Sequence, residues 1–162
     1  SGLICPNGVV ITPDGKTLIV AETFAFRLSA FDIGEDGSLS RRRTWAAFRP
    51  EPAATMDEVV VGDALQPDGL AIDAEGAVWM GEARGPGISR IAEGGTILDH
   101  VSIPGSGVVF ACALGGDDRR TLYMTGGGPG MTSLLKREYD RRVERRNSLF
   151  RCRVDVPGAG WP

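Results

Sequence analysis

Pro6-Asn7-Gly8-Val9-Val10-Ile11-Thr12-Pro13-Asp14-Gly15-Lys16-Thr17-Leu18-Ile19-Val20-Ala21-Glu22 returns about sixty residues later. The second copy reads Pro67-Asp68-Gly69-Leu70-Ala71-Ile72-Asp73-Ala74-Glu75-Gly76-Ala77-Val78-Trp79-Met80-Gly81-Glu82. Each copy runs Pro, amide or acid, Gly, apolar run, acidic-Gly turn, apolar run, Glu. A weaker third copy occupies residues 110–125, from Phe110-Ala111-Cys112 to Tyr123-Met124-Thr125. Self-similarity at a period of tens of residues marks a repeat architecture.

Outward from that phrase, each unit reads as short strands parted by turn residues. The first unit has strand-like runs at 9–12, 18–21, 27–32 and 40–48, with turns at Pro13-Asp14-Gly15 and Glu35-Asp36-Gly37. Residues 49–64, containing Pro50 and Pro52, read as a connection. The second unit offers strands at 69–72, 78–81, 88–91 and 96–103. The third offers 108–114 and 121–125, then a Gly-rich break at 126–130. A short amphipathic helix or ordered loop at 132–147 and a final strand at 149–156 complete it. Four short strands to a unit predict an all-β chain whose units, 1–48, 65–103 and 108–156, are three blades of a β-propeller. The last blade is expected to lack a strand. Three blades do not close a ring, so either further N-terminal blades or a second copy of the chain is expected to complete it.

Bulk composition narrows the function. The 162 residues are 42% hydrophobic and 24% charged, as in ordinary globular proteins. A net charge of -3 provides no basic field for nucleic acid. No apolar run approaches the roughly 20 residues of a membrane span, so neither nucleic acid nor membrane is an expected partner. A cytoplasmic location is expected; Ser1 is no initiator Met, and the natural N-terminus is expected to lie further upstream. Cys5, Cys112 and Cys152 form no CxxC pair and read as small buried hydrophobes. The single histidine, His100, sits in a strand-like run and reads as structural. Arg41-Arg42-Arg43 reads as a solvated edge strand. Gly126-Gly127-Gly128-Pro129-Gly130 lacks the Lys-Ser/Thr of a phosphate loop.

Chemistry enters through the repeat. Equivalent positions in successive blades ring a common axis, so Asn7 and Asp68 should point towards one end of the channel. Two oxygen donors without histidine or cysteine suit a hard divalent cation such as calcium, magnesium or manganese. Asn and Asp before Gly are equally ordinary turn residues. The third unit presents Phe110 or Ala111 at that place and offers no ligand. Glu22 and Glu82, also equivalent, either line the pocket or simply end their strands.

These phrases, with Ala21-Glu22-Thr23, Arg27-Leu28, Thr121-Leu122-Tyr123 and the ending Arg153-Val154-Asp155-Val156-Pro157-Gly158-Ala159-Gly160, resemble the senescence marker protein (regucalcin) / gluconolactonase / luciferin-regenerating enzyme family. The resemblance runs along essentially the whole chain and implies the C-terminal half of a six-bladed propeller. It implies a metal-dependent hydrolase opening sugar lactones, with one divalent ion: calcium first, zinc, manganese or magnesium as alternatives. It further implies Asn7 and Asp68 as metal ligands and Asp68 as the catalytic base, a third ligand being a Glu in a blade outside these residues. The substrate-holding residues are left open. The competing expectation is a non-catalytic propeller module that binds partners, or an inactive fragment. A strictosidine-synthase-like enzyme is a closer rival, which the Pro-Asn-Gly and Pro-Asp-Gly phrases disfavour.

Overall fold

The structure, a computed structural model, describes residues 2–61, 64–103, 108–127 and 147–160. Three antiparallel sheets follow one another along the chain. The first contains β1 (Pro6–Ile11), β2 (Thr17–Glu22), β3 (Arg27–Ile33) and β4 (Leu39–Ala47), in that order. The second contains β5 (Pro67–Ile72), β6 (Val78–Glu82), β7 (Gly87–Ile91) and β8 (Ile97–Ser102). The third contains β9 (Val108–Gly115), β10 (Thr121–Gly127) and β11 (Asn147–Arg153). The all-β reading holds. The segment 132–147, expected as a helix or loop, falls mostly outside the described residues.

The repeated acidic-Gly turn has a backbone cause. Gly15 (φ +73°) donates its N–H to Thr12 O at 2.8 Å, and Gly76 (φ +79°) does the same to Asp73 O at 3.0 Å. Both sit in the left-handed region, where glycine alone carries no Cβ penalty. The third hairpin places Arg119 there instead, at φ +55°, bonded to Gly116 O at 2.9 Å. A turn with the same function but the wrong residue is why the third copy is faint in the sequence.

The connection at 49–64 departs from its reading, since it contains a helix, α1 (Met56–Val61). Thr55 Oγ1 accepts the Glu58 N–H at 3.2 Å, and Glu58 Oε2 accepts the Ala54 N–H at 3.1 Å. This Thr-x-x-Glu start signal was present in Thr55-Met56-Asp57-Glu58, beside two prolines that favoured a loop. Val59 is buried, and its carbonyl accepts Gln66 Nε2–H at 2.6 Å. The helix is therefore fastened to the residue that precedes β5.

Alternation along β5 divides the core in two. Leu70 and Ile72, with Val78, Met80 and Ile91, pack against Val10, Ile19 and Leu28 of the first sheet. Ala71, Trp79 and Ile88 face the other way, onto Val109, Leu122 and Met124 of the third. The second sheet is thus covered on both faces, and the inner strands line up, β1 against β5 and β5 against β9. This is a propeller-like stack, open where Val9 (52% exposed), Ile11 (50%) and Leu149 (71%) face outward. Among the described residues no helix is long and apolar enough to cross a membrane.

Inner strands approach this closely because two residues lack a side chain. A Cβ on Gly8 would stand 2.5 Å from Asp68 O and Leu70 N, and one on Gly69 2.6 Å from Ala111 Cα and Phe110 O. These obstacles are backbone and cannot rotate away. Gly69→Ala should therefore destabilise the protein by about 1–3 kcal/mol, the range for overpacking, read as a lower urea midpoint. An unchanged midpoint would show that the strands have slack.

Candidate metal centre

Each of the first two sheets begins with the same irregularity. Pro6 pairs with Glu22 and Pro67 with Glu82, and regular pairing resumes only at Val9 and Leu70. Asn7-Gly8 and Asp68-Gly69 occupy the bulge so formed, the kind of local break that re-aims a side chain. The outcome is proximity: the Asn7 side chain lies beside the Asp68 carboxylate, near enough to lower its pKa. Asn7 is exposed, whereas Asp68 is buried, with 5% of its surface accessible. In the third sheet, Phe110 and Ala111 lie beneath Gly69 and bring no oxygen-bearing side chain.

Asp68 is held in an unfavourable charge state. Burial pushes its carboxyl up to about 6, and the neighbouring Asn7 amide works the other way. Among the described residues, no cationic side chain contributes to holding its charge. A buried anion with a neutral amide beside it and no cation fits a hard metal ion, which would supply the missing positive charge. This chain brings two such donors; among the described residues no group of three His, Cys, Asp or Glu side chains converges. Cys112 lies nearby, its thiol donating to Trp79 O at 3.5 Å. Burial, a Gly81 backbone hydrogen bond working against it, and the Asp68 charge leave its pKa at about 12, so it is a thiol at neutral pH.

Glu22 and Glu82 turn towards the outer strands. Glu22 is fully buried and accepts from Arg27 Nε at 2.9 Å, Ser29 Oγ at 2.5 Å, the Ile4 N–H at 2.7 Å and Arg42 NH2 at 2.7 Å. Desolvation alone would raise its pKa, but these donors outweigh it and hold the carboxyl at about 2. Glu82 has Ser89 Oγ at 2.5 Å and His100 Nδ1 at 3.7 Å, and burial prevails over both to raise its pKa. The equivalent serines, Ser29 and Ser89, were not singled out in the sequence, though they recur at one place in the repeat.

Two sequence readings need correction. Arg41 and Arg43 do lie at an exposed edge, paired with Asp32, but Arg42 reaches inward to Glu22 and to Gly2 O. Cys5 is exposed, just ahead of Pro6 at φ +50°, because it belongs to the strand's lead-in and not to its apolar run. Cys112 and Cys152 are half-buried.

Below the bulges, the inner strands line a groove of ≈520 Å3, walled by Val9, Ile11, Leu70, Ile72, Cys112 and Leu114 among others. Among the described residues that line this groove none is charged, and Asn7 and Asp68 are not part of its lining.

The Asp68 environment has a sign that can be measured. Its folded pKa, about 6, exceeds its reference value of 3.8. Between those two values the folded state binds the extra proton, so stability falls as pH rises through that window and stays lower above it. In metal-free buffer Asp68→Asn should be the more stable protein at pH 7.5, by on the order of 2–3 kcal/mol. The advantage should shrink as pH falls from about 6 towards 4. Urea melts of both proteins across that range check it; a constant difference contradicts the assignment.

Comparison with known proteins identifies the family. Residues 1–128 match the family model described as the SMP-30/Gluconolactonase/LRE-like region. A 6-deoxy-6-sulfogluconolactonase of Pseudomonas putida is 28% identical over 158 residues, 96% of this chain and 48% of that protein. Regucalcin of Danio rerio is 32% identical over 127 residues, 77% of this chain and 39% of its own length. A luciferin-regenerating enzyme structure superimposes with a TM-score of 0.72 at 25% identity, covering 98% of this chain and 48% of that one. The chain therefore spans about half the length, or less, of these relatives. With its inner-strand phrases and stacked sheets, it belongs to the SMP-30/gluconolactonase/LRE-like family.

Proposed function

We propose that this chain is the half of a six-bladed propeller that carries Asn7 and Asp68 to the metal of a lactone hydrolase. The observation behind the reading is the contact between these two side chains, delivered by equivalent bulges of neighbouring sheets. Remaining blades, N-terminal to these residues, would close the ring and add a third ligand, expected from the resemblance to be a Glu. Calcium is the first choice of ion, because both donors are oxygens and one is neutral. A sugar lactone is the substrate class in keeping with the relatives named gluconolactonase.

When bound, such a cation polarises a lactone carbonyl and lowers the pKa of water. The protein's own part falls to two side chains. Asp68 accepts a proton from the attacking water at a carboxylate oxygen. Asn7, beside that carboxylate, offers a neutral amide oxygen to the cation and adds no negative charge.

A purely structural or partner-binding propeller would have no use for a buried carboxylate that, among the described residues, lacks a cationic partner. Such a group costs stability, and function is the usual reason for keeping one. Asp68→Ala in the complete protein should lower the rate of aldonolactone hydrolysis by ~10²-fold or more, the usual contribution of a general base. Undiminished hydrolysis by a folded variant would return the protein to the binding-module reading.

A further inference from the structure

Asn7 and Asp68 belong to different sheets, so their separation depends on how those sheets are joined. Thr23, in the 3-10 turn Thr23–Ala25 after β2, joins them. Its backbone N–H donates to Cys5 O at 3.1 Å, two residues before Asn7. Its hydroxyl donates to Pro67 O at 2.8 Å, one residue before Asp68. Thr23 is fully buried. One residue is thus bonded to the lead-in of both donor strands.

The repeat contains its own control. Ala83 follows Glu82 as Thr23 follows Glu22, and its N–H donates to Gln66 O at 3.0 Å, the same backbone bond as Thr23 to Cys5. Ala83 has no hydroxyl to reach the third sheet. There the matching place holds Phe110 and Ala111 and needs no ligand held in position. The hydroxyl therefore occurs at the sheet boundary flanked by two oxygen donors and is missing at the boundary that has one. Satisfying the buried Pro67 carbonyl would account for a hydrogen bond at this place, but not for its restriction to this boundary.

We propose that Thr23 is a positioning residue: its hydroxyl clamps the first sheet to the second and so sets the spacing of Asn7 and Asp68 for a divalent cation. The inference rests on the metal reading above. Groups that fix ligands without touching the metal typically change affinity by ~10–100-fold when removed. Thr23→Val keeps the shape and loses the hydroxyl, whereas Thr23→Ser keeps the hydroxyl.

The test is calorimetric titration of calcium alone into the complete protein and both variants, with the chelator-treated unfolding midpoint of each measured in parallel. Thr23→Val should bind calcium at least ~10-fold more weakly, and Thr23→Ser within about twofold of the unaltered protein. Thr23→Ala provides the same comparison if Thr23→Val does not fold. Calcium affinity equal to the unaltered protein's in the folded variant, with only a lowered metal-free midpoint, would make the hydrogen bond merely structural and overturn the clamp alone. Absence of calcium binding by the unaltered protein would overturn the metal reading, and the clamp with it.

Discussion

Backbone meets backbone where Gly8 lies on Asp68-Leu70 and Gly69 lies on Phe110-Ala111, and the geometry of the centre follows from that contact. An added Cβ would come within 2.6 Å of main-chain atoms at either place. Because the inner strands touch there, the bulge residues of neighbouring sheets come within reach of each other. The same approach aligns the strands so that Leu70 and Ile72 can pack one way and Ala71 the other. Fold and centre thus share one steric requirement, a glycine directly after the donor residue.

The repeat also shows one scaffold setting carboxylates to opposite ends. Glu22 is enclosed by two arginines, a serine and a backbone amide, and its charge is secured, with a pKa of about 2. It stabilises the fold above its reference pKa of 4.5, and that contribution is lost as pH falls towards 2. Asp68 has burial without a cation and is pushed to about 6. Glu82, with Ser89 and His100 for company, is also raised. The difference lies in which strand supplies the neighbour: Arg27 and Arg42 reach Glu22 from β3 and β4, and among the described residues nothing equivalent reaches Asp68. A carboxylate paired by arginine supports structure, while an unpaired one is available to a metal or a proton.

Much of this was legible in the sequence because periodicity reports burial. Every strand in the described residues was anticipated within a few positions, since alternating apolar residues and acidic-Gly turns each have a direct backbone cause. The nearness of Asn7 to Asp68 was legible for the same reason: equivalence in a repeat becomes adjacency in neighbouring sheets. Helix α1 was missed although Thr55 and Glu58 announced it, because Pro50 and Pro52 spoke more loudly. Arg42 was missed because a run of arginines conceals which one points inward. Thr23 could not be read from the sequence alone, for its two hydrogen bonds join residues 18 and 44 positions away, and only packing brings those together.

A crystal structure of the complete protein grown with calcium tests the central claim most directly. The account requires a calcium peak coordinated by Asn7 Oδ1 and an Asp68 carboxylate oxygen, each at ~2.3–2.6 Å. Calcium bound elsewhere, or Asn7 and Asp68 side by side with no ion between them, would contradict it.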